Sequence, residues 1–362
     1  MSVYYFRELF PNGSENYAAS KGIYDVDVCL QDILDKNYIN TSNVSAIEVE
    51  GKSKLSKICY YFAPSKLQLI RELLKIKGKN IFLQYPFYKG KIFDSILRKL
   101  MKVNRVFLII HDVDSMRMPF GDTKKEIEIL NLAYGLILMQ GEQMKEYLIS
   151  HGLRVHHIIT MKIYDYIVKP FEMPKRSMSD EIIFAGNLRK STFLHKIPSM
   201  KSPFQLNMYG PFYEQKYFYN ANTVHYWGNY PPDKLLTVIK GSFGLIWDGT
   251  EINTEEGTYG EYNKYNIPFK FPMYLVAGMP VICWRQSSIA EFVRRNNLGM
   301  LIDSLEDIRD MLQSMTPDEY KNMLKNIEPL RNKLMDGFFM KAAIRKALSC
   351  YSDNSLLKID FN

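Results

Sequence analysis

Residues 262–284 restrict the possible folds of this 362-residue chain more than any other stretch. They read YNKYNIPFKFPMYLVAGMPVICW, an order that predicts a polar loop, an apolar helix, a glycine turn and a buried strand. Lys270 falls at the predicted start of the helix, where free backbone N–H groups and the helix dipole attract anions. A lysine there suits a diphosphate, although any helix-to-strand turn of a parallel sheet gives the same apolar pattern.

Strand-like and helix-like segments alternate along the chain, which predicts an α/β fold with parallel sheets. In the first half, strands are predicted at 2–9, 45–49, 80–85, 103–111 and 134–139, and helices at 17–36, 65–77, 91–101, 124–132 and 142–150. In the second half, strands are predicted at 181–185, 204–209, 223–226, 242–247 and 280–284, and helices at 232–240, 271–277, 288–296, 305–314 and from 316 to the end.

The composition shifts in the segment 164–180, which holds Pro170, Pro174 and several charged residues. We therefore place a domain boundary near residue 172 and expect one domain at 1–172 and a second at 173–335. Two successive α/β halves with ligand-facing strand ends predict two Rossmann-like domains around a cleft.

The chain has a net charge of +8, and basic proteins favour phosphates, nucleic acid or anionic membrane surfaces as partners. Both signs of charge are interspersed along the sequence, and there is no long run of Lys and Arg. We therefore expect no nucleic-acid partner.

Four cysteines are present, Cys29, Cys59, Cys283 and Cys350, and no pair has metal-ligand spacing. They are typical of reduced core residues in a cytosolic protein. The N-terminus is too polar for a signal peptide, and no apolar run approaches the roughly 20 residues that span a bilayer. These features predict a cytoplasmic protein that contacts a membrane, if at all, only at the surface of its inner face.

The segment FAGNLRKS at 184–191 is the first candidate binding site. A predicted buried strand ends at Gly186, which allows a ligand to approach the backbone closely, and Asn187, Arg189 and Lys190 follow. Arginine and lysine side chains supply the charge that binds a diphosphate. The position after the first strand of a domain favours this interpretation over a solvated loop with ordinary surface charges.

These two segments, together with NMYGPF, VHYWGNYPPDKL and FGLIWDG, follow the order of a GT-B glycosyltransferase C-terminal domain. The chain resembles bacterial glucosyltransferase 3-like enzymes and their galactofuranosyltransferase relatives. In the first half, NYAASKGIYDV, LIIHDVDSMR and EIEILNLAYGLILMQGEQMKEYLISHGL look like that family's counterparts.

The resemblance implies a GT-B fold, in which two Rossmann-like domains face each other across a cleft. It also implies a UDP-sugar donor, no cofactor or metal requirement, and often a homo-oligomer. The segment DGFFMKAAIRKALS at 336–349 resembles the C-terminal helix that crosses back to the first domain in GT-B proteins. Residues 336–362 would then complete that domain, although a terminal helix packed on its own domain has the same sequence pattern.

The resemblance also assigns donor-binding positions. It implies that Arg189 and Lys190 lie near the diphosphate, with Tyr209 and Gly210 of MYGPF on the same side. Asp248 of the WDG turn, and Asn266 and Lys270 of YNIPFK, match polar donor-binding positions. The family usually has a second asparagine and a histidine nearby, where this chain has Ile267 and Phe269.

Two positions bear on the mechanism. Many retaining GT-B enzymes carry two glutamates that flank the donor-site helix, where this chain has Tyr265 and Met273. Neither side chain can bind ribose hydroxyls as a carboxylate does, so we expect an inverting displacement. In that mechanism a base removes the proton of the acceptor hydroxyl, and cations stabilise the departing UDP.

The segment HDVDSMR follows the strongest strand signal and offers His111, Asp112 and Asp114 at a strand end that faces the ligand crevice. Asp112 or His111 is the candidate base or acceptor-orienting residue. The alternative is that Asp112 caps the following turn and His111 forms a hydrogen bond in the core. No further histidine lies nearby, so we predict no metal site.

Two other segments are candidates for acceptor contact. The loop PNGSENY at 11–17 offers Asn12, Ser14 and Asn16 either as hydrogen-bonding groups or as helix caps. The predicted helix at 91–101 has a basic side and an apolar side. That pattern suits an anionic membrane surface or a lipid diphosphate, and also an ordinary packed helix with a solvated basic face.

The sequence thus predicts a glycosyltransferase that moves a hexose (galactofuranose, glucose or galactose) from a UDP-sugar to a saccharide acceptor on a lipid diphosphate or a protein. Two alternatives stay open at this point. One is a non-catalytic GT-B partner subunit, and the other is an epimerase that converts a UDP-sugar without an acceptor.

Overall fold

The computed structural model describes residues 3–7, 18–35, 37–40, 64–86, 91–118, 121–201, 204–219 and 221–352. Within these ranges the strands form two six-stranded sheets, and all of their strand pairings are parallel. The predicted α/β fold with parallel sheets is therefore confirmed. Among the helices in these ranges, none combines the length and the apolar character that crossing a membrane requires.

The first sheet has the strand order β2-β1-β3-β4-β5-β6. Its strands are β1 (Val3–Arg7), β2 (Tyr38–Asn40), β3 (Asn80–Tyr85), β4 (Arg105–Ile110), β5 (Gly135–Leu138) and β6 (His157–Thr160). The helices of this half are α1 (Ala18–Leu34), α2 (Pro64–Lys75), α3 (Lys91–Val103), α4 (Asp114–Arg117), α5 (Thr123–Leu130) and α6 (Glu142–Ser150). All six residues of β3 are buried, as expected for a parallel strand covered on both faces.

The second sheet has the strand order β12-β11-β10-β7-β8-β9. Its strands are β7 (Glu181–Ala185), β8 (Gln205–Tyr209), β9 (Val224–Tyr226), β10 (Phe243–Ile246), β11 (Val281–Trp284) and β12 (Gly299–Ile302). The direction of strand order reverses between β7 and β10. In a doubly wound sheet, the carboxyl ends of the strands at such a reversal form the ligand crevice.

The helices of the second half continue to the end of the described chain. They are α7 (Pro232–Val238), α8 (Gly257–Tyr262), α9 (Lys270–Val276), α10 (Ala290–Arg295), α11 (Ile308–Ser314), α12 (Pro317–Met335) and α13 (Phe338–Ser352), with 3-10 turns at Thr192–Ser199, Gln215–Tyr217 and Leu305–Asp307. Lys270 is the first residue of α9, so the prediction of a helix start at this lysine is confirmed.

Several short elements escaped the sequence analysis. The strands β2, β6 and β12 and the helices α4 and α8 were not predicted, because three to six residues give too short a pattern to distinguish from a loop. The strand predicted at 45–49 lies outside the described residues. All three missed strands lie at sheet edges, β2 and β6 in the first sheet and β12 in the second, so the order of the central strands is unaffected.

The helix α13 crosses back onto the first sheet, as predicted. The hydroxyl of Tyr351 lies 2.9 Å from the carbonyl oxygen of Ile81 and 3.0 Å from that of Arg105. At the other end of the helix, the Asp165 carboxylate accepts hydrogen bonds from the backbone N–H groups of Phe339 and Met340. The helix is thereby fixed to the first sheet at one end and to the connecting segment at the other. The predicted boundary near residue 172 lies in that connecting segment, between β6 and β7.

Candidate active site

A cavity of about 410 Å³ lies in the cleft between the two domains. The second sheet contributes the ends of β7, β8 and β10 and the start of α9, and the first contributes the residues that follow β4. Its charged lining residues are three cations and two carboxylates, namely Arg117, Lys190, Lys270, Asp112 and Asp248. A cavity of this size, with converging polar groups, has the character of a ligand site.

The turn after β7 forms the floor of the cavity through close backbone packing. Gly210, after β8, has a φ of +133°, and a β-carbon on it would lie 1.9 Å from the carbonyl oxygen of Gly186. Only glycine fits at Gly210, because the neighbouring backbone occupies the space of a side chain. A β-carbon on Gly186 would lie 3.0 Å from Cε of Lys270. The lysine side chain therefore passes directly over this glycine.

The Lys270 ammonium is fixed by Asp248. Its Nζ atom lies 3.0 Å from Oδ1 and 3.2 Å from Oδ2 of Asp248, and 4.5 Å from the ring centroid of Phe184. The Lys270 and Asp248 side chains are 16% and 25% exposed, so the pair is partly shielded from water. This arrangement holds one cation at the switch point of the second sheet, where a bound anion can reach it.

Glu255 lies behind Asp248 and is fully buried. One of its carboxylate oxygens accepts the backbone N–H of Asp248 at 3.0 Å, and the other accepts Nδ2 of Asn263 at 2.9 Å. Burial raises the pKa of Glu255 well above its usual value, and the charge of Asp248 raises it further. Glu255 therefore connects the Asp248 turn to the segment that carries Asn263.

Asn187, Tyr209 and Asn266 also line the cavity, and each has a structural contact besides. The side-chain oxygen of Asn187 accepts the backbone N–H groups of Arg189 and Lys190, which closes the turn after β7. The Tyr209 hydroxyl accepts the backbone N–H of Lys240 at 3.1 Å, away from the cavity. Asn266 accepts a long hydrogen bond of 3.4 Å from Tyr164.

Asp112 contributes the carboxylate on the side of the first domain. It forms an ion pair with Arg117 of α4, and Oδ1 lies 3.4 Å from the Tyr262 hydroxyl. Removal from water raises the pKa of Asp112, whereas Arg117 lowers it by a smaller amount. Asp112 and Arg117 both line the cavity.

His111 points elsewhere, although it is the neighbour of Asp112. Its Nε2 atom lies 2.6 Å from Oε1 of Gln84, and the Gln84 amide donates in turn to Asp27. Desolvation of the ring lowers the pKa of His111 to about 4. His111 does not line the cavity. Its hydrogen bond with Gln84 agrees with the alternative prediction for this residue, which was a hydrogen bond in the core.

The remaining predicted residues are distributed in three ways. Lys190 lines the cavity, with its ammonium 5.1 Å from the ring centroid of Tyr259. Arg189 is exposed outside the cavity lining, where its guanidinium lies 4.3 Å from the ring centroid of Phe212. Asn16 and the rest of the loop 11–17 lie outside the described residues.

Sequence reasoning missed the roles of Glu255, Arg117 and Tyr262. Glu255 is one of several acids in a polar stretch, and no local pattern marks it as buried. Arg117 lies within HDVDSMR, and Tyr262 is the first residue of the stretch 262–284, so both belong to recognised motifs. Arg117 pairs with Asp112 of its own segment, whereas Tyr262 contacts Asp112 and Val113 from a distant part of the chain, which only the folded structure reveals.

Two α/β domains, each built on a parallel sheet, with a polar cavity between their strand ends are the features of GT-B glycosyltransferases. HepE from Anabaena, solved in complex with UDP, has this fold with a TM-score of 0.58, 11% identity, and coverage of 97% of this chain and 100% of that one. Sucrose-phosphate synthase from Thermosynechococcus elongatus has a TM-score of 0.60, also with 11% identity, and coverage of 97% and 98%. The predicted GT-B fold is confirmed.

The chain belongs to the glucosyltransferase 3-like family. The model of the family's N-terminal domain matches residues 23–163, and that of its C-terminal domain matches residues 182–347. Glucosyltransferase 3 of Streptococcus gordonii is 29% identical over 311 residues, which are 82% of this chain and 89% of that protein. The β-1,6-galactofuranosyltransferase WbbI of Escherichia coli K12 is 27% identical over 295 residues, 78% of this chain and 84% of that protein. The protein is therefore a glycosyltransferase.

Proposed function

We propose that this glycosyltransferase moves a hexose from a UDP-sugar to a hydroxyl group of a saccharide acceptor. The observation that carries the proposal is the meeting of cations and carboxylates from both domains in one cavity. Lys270 and Lys190 supply positive charge for a diphosphate on the side of the second domain. The relatives named above are a glucosyltransferase and a galactofuranosyltransferase, and HepE was solved with UDP, which supports glucose or galactofuranose as the sugar. Galactose is the third candidate sugar of the proposal.

The proposed reaction is an inverting displacement with Asp112 as the base. The Asp112 carboxylate takes the proton of the acceptor hydroxyl, whose oxygen then forms a bond to the anomeric carbon of the sugar. The bond from that carbon to the diphosphate oxygen breaks, and UDP leaves with the electron pair. Lys270 stabilises the negative charge that develops on the leaving group. The apolar Met273 in the cavity lining supports this choice, because a retaining relative would use a glutamate at that position.

The cationic side chains also support transfer without a metal ion, since they supply positive charge at the diphosphate. The acceptor saccharide, carried on a lipid diphosphate or on a protein, would approach from the first domain, where Asp112 lies. A homo-oligomer and a contact of α3 with the inner face of a membrane are further parts of the proposal that rest on the family resemblance and on the basic side of that helix.

A thermal-shift titration with UDP, GDP, CMP and ADP, each with and without EDTA, tests the donor assignment. A ligand that binds the native state raises the melting temperature by mass action. We expect a rise with UDP alone that EDTA does not change. No rise with any nucleotide would contradict the proposal, and a rise that EDTA abolishes would contradict its metal-independent part. NMR of the product of a successful donor then distinguishes inversion from retention at the anomeric carbon.

A further inference from the structure

Tyr262 is contributed by the second half of the chain, but its side chain is part of the first domain's core. It is the last residue of α8, only 4% exposed, and it belongs to the buried cluster that includes Leu83, Ile110 and Val113. A bulky ring buried across a domain interface fixes the relative position of the two surfaces that it joins.

The Tyr262 hydroxyl makes two hydrogen bonds in that core. It accepts the backbone N–H of Val113 at 3.1 Å and lies 3.4 Å from Oδ1 of Asp112. Because the N–H of Val113 must donate, the hydroxyl hydrogen is available to the carboxylate. Tyr262 therefore holds both the Asp112 side chain and the backbone of the next residue.

The backbone of Tyr262 acts on the donor side of the cleft. Its carbonyl oxygen accepts the N–H groups of Tyr265 and Asn266, each at 2.9 Å. This turn leads from Tyr262 to Asn266 and on to Lys270. The next residue, Asn263, donates to Glu255, which accepts the backbone N–H of Asp248. One residue thus contacts the candidate base through its hydroxyl and the donor-binding segment through its carbonyl.

We propose that Tyr262 is a positioning residue that couples the donor-binding segment to the orientation of the Asp112 carboxylate across the cleft. This inference rests on the proposed function, in which Asp112 is the base. Proton transfer requires the base to be within hydrogen-bonding reach of the acceptor hydroxyl, and a small misplacement of the base lowers the rate strongly. Arg117 restrains Asp112 from within the first domain. Among the contacts that this carboxylate makes in the described part of the chain, the one with Tyr262 is the one that relates its orientation to the donor segment.

The test compares Tyr262→Phe with Tyr265→Phe. Tyr265 is in the same segment and packs on Tyr147 of the first domain at 5.0 Å between ring centroids, but within the described chain its hydroxyl has no hydrogen bond. For Tyr262→Phe we expect kcat to fall about 10-fold or more, while the Kd of UDP stays the same. Tyr265→Phe should change neither quantity.

The pH profile of kcat gives a readout that a merely structural role would not change. The Tyr262 hydrogen bond lowers the pKa of Asp112, and the other groups that act on this carboxyl or face it are Arg117, Asp114 and Tyr164. In Tyr262→Phe the acidic limb should therefore move to higher pH. Fluorotyrosine at position 262 keeps the shape and makes the hydroxyl a stronger donor, so it should move the limb to lower pH, and it remains usable if the phenylalanine variant fails to fold.

Asp112→Asn, measured in parallel, separates the two levels of the proposal. If this variant keeps normal transfer, the base assignment and the coupling role both fall. If it loses transfer while Tyr262→Phe and the fluorotyrosine protein keep the kcat and acidic limb of the wild type, only the coupling role is overturned. A loss of UDP affinity in Tyr262→Phe with an unchanged acidic limb in the fluorotyrosine protein would also overturn it, because that pattern reports packing alone.

Discussion

The Nζ atom of Lys270 lies 3.0 Å from Oδ1 of Asp248, so a helix start and the turn after β10 are joined by an ion pair within the cavity. The two residues are 22 positions apart in the sequence. The carboxylate holds the ammonium in place over Gly186, where an incoming diphosphate would compete with Asp248 for it. A pair of this kind supplies a cation to a ligand without leaving an uncompensated charge before the ligand binds.

Replacing Lys270 with methionine should reduce kcat/KM for transfer by about 100-fold and weaken UDP binding, because the site then presents the Asp248 carboxylate without its cation. Lys264→Met is the matched control, since Lys264 is in the same segment and pairs with Glu261 at 2.6 Å on the surface. Isothermal titration with UDP and steady-state kinetics measure both effects. Wild-type UDP affinity in Lys270→Met would contradict the assignment of Lys270.

The two glycines of the cavity floor should respond differently to alanine. In Gly186→Ala the new β-carbon meets the flexible end of Lys270 at 3.0 Å, so we expect a folded protein with weakened UDP binding. In Gly210→Ala it meets backbone at 1.9 Å with φ at +133°, which should lower the free energy of unfolding by roughly 3 kcal/mol or more.

Gly78→Ala is the control for these glycine variants, because Gly78 has a φ of +65° with nothing within 4 Å of the new β-carbon. It should cost only about 1 kcal/mol and leave UDP binding intact. Denaturant unfolding and UDP titration separate the three cases. Equal effects of Gly186→Ala and Gly78→Ala on UDP binding would disprove the close approach of Lys270.

The candidate bases His111 and Asp112 can be separated by one variant of each. Asp112→Asn should lower kcat by about 100-fold to 10,000-fold, as expected for loss of a general base. His111→Gln should have a much smaller effect, because the His111 ring is held by Gln84 and does not line the cavity. The comparison uses kcat at saturating donor, with UDP affinity as the control for folding. A larger loss in His111→Gln than in Asp112→Asn would reverse the assignment.

The contrast between these two residues shows what a local pattern can and cannot predict. Both follow the same strand, and because successive residues of an extended chain point to opposite sides, one of the two had to face away from the cleft. The sequence alone therefore predicts that the two residues face opposite ways. Which of them faces the cleft depends on how the first sheet packs against α1 and the second domain.

Longer elements and their strand ends could be predicted because their signals are local. The start of α9 at Lys270 and the position of Asp248 after a buried strand follow from apolar periodicity alone. Glu255 could not be predicted, since its neighbours Glu251 and Glu256 are equally acidic and only tertiary packing decides which carboxylate is buried. The short edge strand β2 was missed because three residues are too few to show a strand pattern, and its extended conformation depends on pairing with β1.

Glu255 should stabilise the fold through its two buried hydrogen bonds. Glu255→Ala leaves the Asp248 N–H and the Asn263 amide without their acceptor in a buried place, which should lower the free energy of unfolding by about 2–4 kcal/mol and weaken UDP binding. Glu255→Gln keeps one acceptor oxygen and should cost less. The exposed Glu256 provides the control, and Glu256→Ala should stay within about 0.5 kcal/mol. A neutral result for Glu255→Ala would contradict the supporting role.

The Asp165 carboxyl, which caps α13, should make stability depend on pH. Burial, the largest cause, raises the pKa of Asp165 to about 7, although its hydrogen bonds with Phe339 and Met340 lower it. An unfolded aspartate has a pKa of about 3.9, so between about pH 4 and 7 the folded protein binds more protons than the unfolded one. The contribution of Asp165 to stability is therefore complete at low pH and is lost as the pH rises through 7. Asp165→Asn removes this titration but keeps an acceptor oxygen.

The free energy of unfolding of the wild type minus that of Asp165→Asn should be larger at pH 5 than at pH 8, by on the order of 2 kcal/mol. Asp122→Asn is the matched control, since Asp122 caps α5 on the surface and its hydrogen bonds with Lys125 lower its pKa. Asp122 therefore titrates below this window, and the stability difference between its variant and the wild type should be the same at both pH values. Urea unfolding of the three proteins at pH 5 and pH 8 measures the differences. If the Asp165→Asn difference is as independent of pH as that of Asp122→Asn, the Asp165 carboxyl is ionised throughout this range, and the two backbone N–H groups of α13 outweigh its burial.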